Sequence, residues 1–243
     1  MSIYLAVAVI AFIASLTQRV SGFGFGMLFM TAAPFLMPSY PEATALSGAL
    51  ALVCALLTGV EMIRYVPWKK LIIILVTFLF VSYLSILFVG RIDGKMMKGV
   101  LGGVLILLSF YFIFIRSRIH MKPSVKVQLG MGVFSGVTGG LFAMQGPPAV
   151  IYFISCADNK EEYMALTQWF FIISNSYMTA VRAANGYFTP IVGKAFLCGV
   201  GTVILGLVIG RRIYSKVPID VIRKIVYILI GVSGLVAVII SLK

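Results

Sequence analysis

Acidic residues, histidine and closely spaced cysteines are scarce in this chain of 243 residues, which has seven Asp and Glu, one His and three Cys. Cys54, Cys156 and Cys198 lie far apart with no Cys-x-x-Cys spacing, so the sequence offers neither a zinc motif nor a redox pair. His120 lies in a basic stretch away from every glycine-rich segment. We therefore expect no catalytic residues, no metal ion and no cofactor.

The positions of the few carboxylates also exclude a class of function. Cation pumps, cation channels and proton relays place Asp or Glu within their membrane helices. Here all seven lie at the ends of apolar runs or in loops, which disfavours those functions, although two at helix ends (Glu42 and Glu61) stay candidates for proton coupling. The seven are Glu42, Glu61, Asp93, Asp158, Glu161, Glu162 and Asp220.

Charge is low overall, and hydrophobic residues dominate. Only 11% of residues are charged and 61% are hydrophobic, with a mean hydropathy of +1.08, whereas soluble domains carry about 25% charged residues. The sequence therefore predicts an all-α polytopic membrane protein. Its net charge of +13 lies in short clusters between apolar runs, which is typical of membrane loops and not of a nucleic-acid surface.

Eight apolar regions fill most of the chain. A membrane helix needs about 20 apolar residues, and six runs meet this requirement: 43–63, 71–90, 99–115, 163–181, 193–210 and 222–242. Regions 3–37 and 127–156 are too long for one helix, and each contains a glycine-rich segment. We expect eight full spans plus short or broken helices.

The two glycine-rich segments resemble each other. "SGFGFGMLFMTAAP" (21–34) and "SGVTGGLFAMQGPP" (135–148) match at five positions when aligned at an offset of 114. A break in a membrane helix survives only where it is buried in protein or lines a wet cavity, and paired broken helices indicate a transporter's substrate site. We expect the segments to meet near the membrane midplane, where their free N–H groups bind an anion. Close helix packing through glycines four residues apart is the alternative.

Further correspondences predict two homologous repeats of four or five helical segments each. In the alignment of the two halves, residues 45–47 correspond to 165–167, Tyr65 corresponds to Tyr187, and 90–91 correspond to 210–211. The predicted units are residues 1–115, a basic linker at 116–126, and residues 127–243. Ten segments would place 14 Lys and Arg on one side and 6 on the other, whereas eight would divide them almost evenly. This asymmetry favours ten segments and inverted repeats over parallel repeats.

The candidate substrate-binding residues combine the glycines and prolines of the two segments with polar side chains near them. The alternative for each Ser or Thr is a hydrogen bond to its own helix backbone, and for the arginine it is an extended side chain that reaches the membrane interface. The full set is Arg19, Gly22, Gly24, Gly26, Pro34, Ser47, Gly136, Thr138, Gly139, Gly140, Gln145, Pro148, Thr167, Gln168 and Asn175. Gln18 and Arg182 are neighbouring polar residues outside this set.

Both segments, together with "EATALSGAL" after the first, resemble the TauE/SafE family of sulfite exporters. The resemblance covers nearly the whole chain. It implies a multi-pass transporter of the bacterial inner membrane that moves sulfite, sulfonates or related organic anions. It matches Gly22, Gly24, Gly26 and Pro34 to the first family motif, and Gly136, Gly139, Gly140 and Pro148 to the second.

The sequence therefore predicts a secondary transporter of small anions, since it lacks the GxxxxGK[ST] motif of ATP hydrolysis. The expected partners are a small anionic substrate and the lipid bilayer, with no nucleic acid. A coupling ion, H⁺ or Na⁺, and a second copy of the chain in a homo-oligomer are further candidate partners. An intramembrane enzyme and a non-transporting receptor or assembly subunit are the alternative functions.

Overall fold

The computed structural model of the chain describes residues 3–111, 124–214, 228, 231, 232 and 234–240. Within these ranges every regular element is a helix, and no strand is found. A short 3₁₀ helix, Val60–Tyr65, follows the third α-helix. The α-helices are α1 (Ile3–Ser21), α2 (Phe25–Leu36), α3 (Tyr40–Gly59), α4 (Trp68–Val89), α5 (Gly94–Phe110), α6 (Val125–Phe142), α7 (Gly146–Cys156), α8 (Lys160–Ala184) and α9 (Pro190–Tyr214).

The distribution of polar and apolar side chains is that of a membrane protein. In the part of the chain that the structure describes, four segments are long and apolar enough to span a bilayer: Ile3–Ser21, Tyr40–Tyr65, Trp68–Val89 and Pro190–Arg212. Large apolar side chains on the outer surface are exposed, such as Phe80 at 67% and Leu197 at 74%, whereas Gln168 and Arg182 are buried. An apolar exterior around polar interior groups suits lipid as the solvent.

Side-chain caps fix where the middle helices begin. Ser39 and Glu42 form a capping box at the start of α3, and the Asn159 side chain accepts a hydrogen bond from the Glu162 N–H (2.9 Å) at the start of α8. These caps satisfy N–H groups that have no partner within the helix. Both helices therefore begin at sites that the local sequence specifies.

Corresponding helices recur along the chain at an almost constant separation. Helices α1 to α4 begin at residues 3, 25, 40 and 68, and α6 to α9 begin at residues 125, 146, 160 and 190, so each pair is 120 to 122 residues apart. The offset of 114 used to align the two glycine-rich segments is therefore wrong for the helices. The pairs 45–47 with 165–167 and Tyr65 with Tyr187 do follow the structural separation.

The most extensive interfaces join α1 with α9, which lie far apart in the chain, and α4 with α6. Small residues allow this close packing. A Cβ added to Gly206 or Gly210 of α9 would meet α1, and one added to Gly136 or Gly140 of α6 would meet α4. Gly136 lies against Val81, and Gly140 lies against Ser85, so α4 and α6 run parallel.

Helices α3 and α8 form the central antiparallel pair. Gly48 near the start of α3 packs against Arg182 near the end of α8, whereas Gly59 at the end of α3 packs against Gln168. The Trp169 indole N–H also donates to the Gly59 carbonyl (3.0 Å). These contacts fix the opposite directions of the two helices.

The described residues near the C-terminus pack on α5. A Cβ on Gly102 would lie 2.7 Å from the Gly234 carbonyl oxygen, and one on Gly231 would lie 2.5 Å from the Ser109 hydroxyl. Most of the predicted linker 116–126, with His120, and part of the apolar run 222–242 lie outside the described residues.

Candidate functional site

The first backbone break lies within the first glycine-rich segment, as predicted. Helix α1 ends at Ser21 and α2 begins at Phe25. Gly22 and Gly24 adopt φ values of 85° and 108°, which is left-handed backbone that side chains strongly disfavour. Glycine is therefore needed at both positions for the chain to leave α1 and re-enter a helix within three residues.

The second break lies several residues beyond the position that its glycines suggested. Helix α6 continues unbroken through Gly136, Gly139 and Gly140 to Phe142, so the prediction of a break at those glycines is wrong. Their role is helix packing, the alternative that the four-residue spacing had left open. The chain turns at Ala143, which has φ 55°, and its N–H donates to the Gly139 carbonyl (3.0 Å).

The two breaks lie in direct contact. A Cβ added to Gly26 would meet the carbonyl oxygen of Ala143, and Gly26 also approaches the Cα of Met144. No larger residue fits here without separating α2 from the turn between α6 and α7. The predicted approach of the two glycine-rich segments is thereby confirmed.

A small cavity lies where the breaks meet. Its volume is about 20 Å³, enough for one or two water molecules. Four of the predicted site residues line it, Gly24, Gly26, Gln145 and Asn175, and we call it the central cavity. Its other lining residues are Gln18, Phe25, Met27, Ala51, Ala143, Met144, Gly146, Pro147 and Phe171.

Backbone N–H groups at the start of α2 are the main donors beside this cavity. No side chain caps α2 at Gly24. The first hydrogen bond of the helix is donated by the Leu28 N–H to the Gly24 carbonyl (3.1 Å). The N–H groups of residues 25–27 therefore have no acceptor within the helix. Helix α7 contributes less, because its first turn contains Pro147 and Pro148, which have no N–H.

Three amide side chains also meet at the central cavity. The Gln145 amide donates from Nε2 to Asn175 Oδ1 (2.9 Å) and more weakly to Ser174 Oγ (3.4 Å). Gln18 is only 3% exposed, and its Nε2 has no hydrogen-bond partner within the described part of the chain. Gln18 lies outside the predicted set of binding residues. Its position on α1, one turn before Gly22, is the sequence feature that indicates a place beside the first break.

A second, larger cavity of about 500 Å³ adjoins the first break, and we call it the outer cavity. Arg19 lines it together with Arg211, Lys160 and Glu161. The structure therefore places the predicted Arg19 beside a wide basic space and outside the central cavity. This arrangement suits the attraction of anions toward the first break.

A hydrogen-bonded layer of Gln168, Thr58 and Gly22 adjoins the outer cavity at the first break. Gln168 donates from Nε2 to the Gly22 carbonyl (2.8 Å), and its Oε1 accepts from the Thr58 hydroxyl (2.9 Å). On one side of Gly22, Ser21 lines the outer cavity, and on the other side Gly24 lines the central cavity. Gln168 therefore connects α8 to both α3 and the first break.

The remaining predicted residues do not line the central cavity. Thr138 donates to the Phe134 carbonyl of its own helix (2.9 Å), the bonding that we had weighed as the alternative. Ser47 and Thr167 are buried, with hydroxyl oxygens that have no partner within the described ranges. Pro34 lies inside α2 and Pro148 in the first turn of α7. Within the described ranges no group of three His, Cys, Asp or Glu side chains could hold a metal ion.

Comparison with known proteins identifies the family of the chain. A family model described as "Sulfite exporter TauE/SafE" matches residues 7–237 of the 243. No curated protein and no solved structure matches the chain.

Proposed function

The chain belongs to the TauE/SafE sulfite exporter family, and from this premise we propose that it is a secondary transporter that exports sulfite, sulfonates or related small anions across the bacterial inner membrane. Family membership indicates a membrane exporter of sulfite or related anions. The choice of anion, the direction of transport and the position of its binding site are our proposal.

The observation that carries this proposal is the set of unpaired donors at the central cavity. The first N–H groups of α2 and the Gln18 amide line it, and the partial positive charge at a helix N-terminus favours a bound anion. Buried donors without acceptors are costly, so an anion that accepts from them is stabilised there. We propose Gly24, Gly26, Gln145 and Asn175 as the substrate-lining members of the predicted set.

We further propose that the chain consists of two inverted repeats, residues 1–115 and 127–243, joined by the linker 116–126. Three observations support this arrangement. The helices recur at a constant separation, and the packing of α1 with α9 repeats that of α4 with α6. Helices α3 and α8 correspond to each other in this series, and their antiparallel contacts suit an axis in the membrane plane.

Transport requires the central cavity to open, because its volume of about 20 Å³ accommodates one or two water molecules and not an anion with three oxygens. We propose that the layer of Gln168, Thr58 and Gly22 separates the bound anion from the outer cavity. Its two hydrogen bonds break when the outer cavity connects to the centre. An equivalent opening on the opposite side then completes alternating access.

Flux into proteoliposomes tests this function. Purified protein should accelerate sulfite movement over empty liposomes, and Asn175→Leu should reduce the rate at least tenfold because it removes the amide that binds Gln145. Asn185→Ala is the matched control, since Asn185 is an exposed residue at the end of the same helix. Equal rates for Asn175→Leu and the control, at equal reconstituted amounts, would disprove the assigned site. No flux of sulfite or any sulfonate by the native protein would disprove the function.

A further inference from the structure

Arg182 has the largest fully buried side chain among the described residues, with 0% exposure. It lies in the last turn of α8. Its Nη2 donates to the carbonyl oxygens of Gly139 (2.9 Å) and Gly140 (3.1 Å). These carbonyls belong to the end of α6, where the helix dipole supplies partial negative charge. The guanidinium is therefore anchored on one side only.

The other side of the guanidinium lacks partners. Arg182 Nε and Nη1 make no hydrogen bond within the described chain, and neither do the hydroxyls of Tyr40 and Thr179. Tyr40 is close enough to interact electrostatically with the guanidinium, and a Cβ on Gly48 would lie 3.1 Å from Nη1 and 3.5 Å from Thr179 Oγ1. Several buried hydrogen-bond donors thus surround one cation.

No carboxylate balances this charge among the described ion pairs, which join Lys70 to Asp158 and Glu162. A buried charge without a counter-charge is strongly unfavourable. The Nη1 protons, which have no acceptor, and the neighbouring hydroxyls match the oxygens of a small oxyanion. The chemistry of this cluster is therefore that of an anion site.

The cluster also lies on the same face of α8 as the two cavities. Spacings of three and four residues place successive side chains along one helix face. Arg182 connects to the central cavity through Gly139, since a Cβ there would stand 2.9 Å from the Gln145 Cβ. From the outer cavity inward, the residues of this face are Met164, Gln168, Phe171, Asn175, Thr179 and Arg182.

We propose that Arg182, with Tyr40 and Thr179, forms a second binding site for a small inorganic oxyanion. This site lies on the side of the central cavity that faces away from the outer cavity. Nη1 and the neighbouring hydroxyls donate to the anion while Nη2 stays bound to the end of α6. The proposal rests on the proposed function in one respect, that the oxyanion is the transported one. Gly48 has no Cβ, and one would stand 3.1 Å from Nη1, at the distance of an anion oxygen that accepts from it.

Gly48→Ala is the sharpest test, because its Cβ would stand 3.1 Å from Nη1, where an anion oxygen would bind, while alanine is a better helix former than glycine. We expect at least a tenfold loss of sulfite flux and of sulfite affinity at the second of two sites measured by titration calorimetry. Gly130→Ala is the matched control, since a Cβ there meets nothing within 4 Å, and it should stay within twofold of the native protein. Arg182→Lys, which keeps the charge and loses the Nη1 donors, should also lose the second site.

Crystals grown with selenite, an anomalous scatterer of sulfite shape, locate the site directly. We expect selenite within hydrogen-bond distance of Arg182 Nη1. Selenite density confined to the central cavity overturns the proposal, and so does a Gly48→Ala variant with native flux. Selenite at Arg182 in a protein that moves no sulfite supports the binding site and disproves the transport function, so the two failures are distinguishable.

Discussion

Replacement of Gln18 by leucine separates a binding role from a structural one, because the two roles predict opposite effects on stability. Gln18 is 3% exposed, lines the central cavity, and its Nε2 has no partner within the described ranges. A buried donor that stays unsatisfied costs about 1–3 kcal/mol. Gln18→Leu removes that donor at similar volume, so the ligand-free protein should be as stable as the native protein or more stable.

Anion binding should change in the other direction. A hydrogen bond to a charged group contributes about 1.5–3 kcal/mol, and each 1.4 kcal/mol corresponds to a tenfold change in Kd. We therefore expect Gln18→Leu to raise the Kd for sulfite about 10- to 150-fold. Calorimetric titration measures the Kd, and thermal unfolding with and without sulfite measures both stabilities, since a bound ligand raises Tm by mass action.

Gln128→Leu is the matched control for this experiment. Gln128 is a buried glutamine whose Oε1 also lacks a partner within the described chain, but it lies in the first turn of α6 and does not line the central cavity. Its replacement should leave the Kd unchanged. An unchanged Kd for Gln18→Leu, or a clear loss of ligand-free stability, would refute the assignment of Gln18 as an anion donor.

Three further predictions follow from the packing. Gly140→Ala should lower the free energy of unfolding by about 1–3 kcal/mol because its Cβ meets Ser85, whereas Gly130→Ala should not; equal denaturant midpoints would contradict this packing role. Lys70→Met should cost about 1 kcal/mol at low salt, because Lys70 binds two carboxylates and the Cys156 carbonyl; high salt should reduce the difference in Tm from the native protein, and a salt-independent difference would argue against an electrostatic origin. Cysteines placed at Arg64 and Asn185, exposed residues after α3 and α8, should react with a membrane-impermeant maleimide from opposite sides in a cysteine-free background; labelling from one side would rule out inverted repeats.

Hydrophobicity was sufficient to find most helices. The apolar run 71–90 corresponds to α4 (Trp68–Val89), and the apolar run 163–181 corresponds to the middle of α8 (Lys160–Ala184). Membrane spans are long and continuous, so their sequence signal is strong. The ends of α8 are polar and were missed, because its caps and first turn carry charges that a hydrophobicity criterion rejects.

Glycine was an ambiguous signal in the two glycine-rich segments. Gly22 and Gly24 supply left-handed backbone, whereas Gly136 and Gly140 lie in a regular helix and supply close packing. Sequence alignment treats these two uses alike, which produced the offset of 114. The second turn uses Ala143 at positive φ, a residue that gives no sequence signal for a break.

The polar face of α8 was partly visible from the sequence. Gln168 and Asn175 were selected individually, but their seven-residue spacing places them on one side of the helix with Arg182. That periodicity would have brought Arg182 into the candidate set. Gln18 lines the same cavity as the second break only through tertiary packing, which no local pattern specifies.

The interface between α1 and α9 has a consequence for biogenesis. Helix α1 ends at residue 21 and its main partner ends at residue 214, so a ribosome adding 5–20 residues per second needs about 10–40 s to supply that partner. During this interval Ser15 and Arg19, which later pack against Gly206 and Gly210, lack those partners. The face of α1 that packs on α9 therefore stays uncovered by that helix until most of the chain has been synthesised.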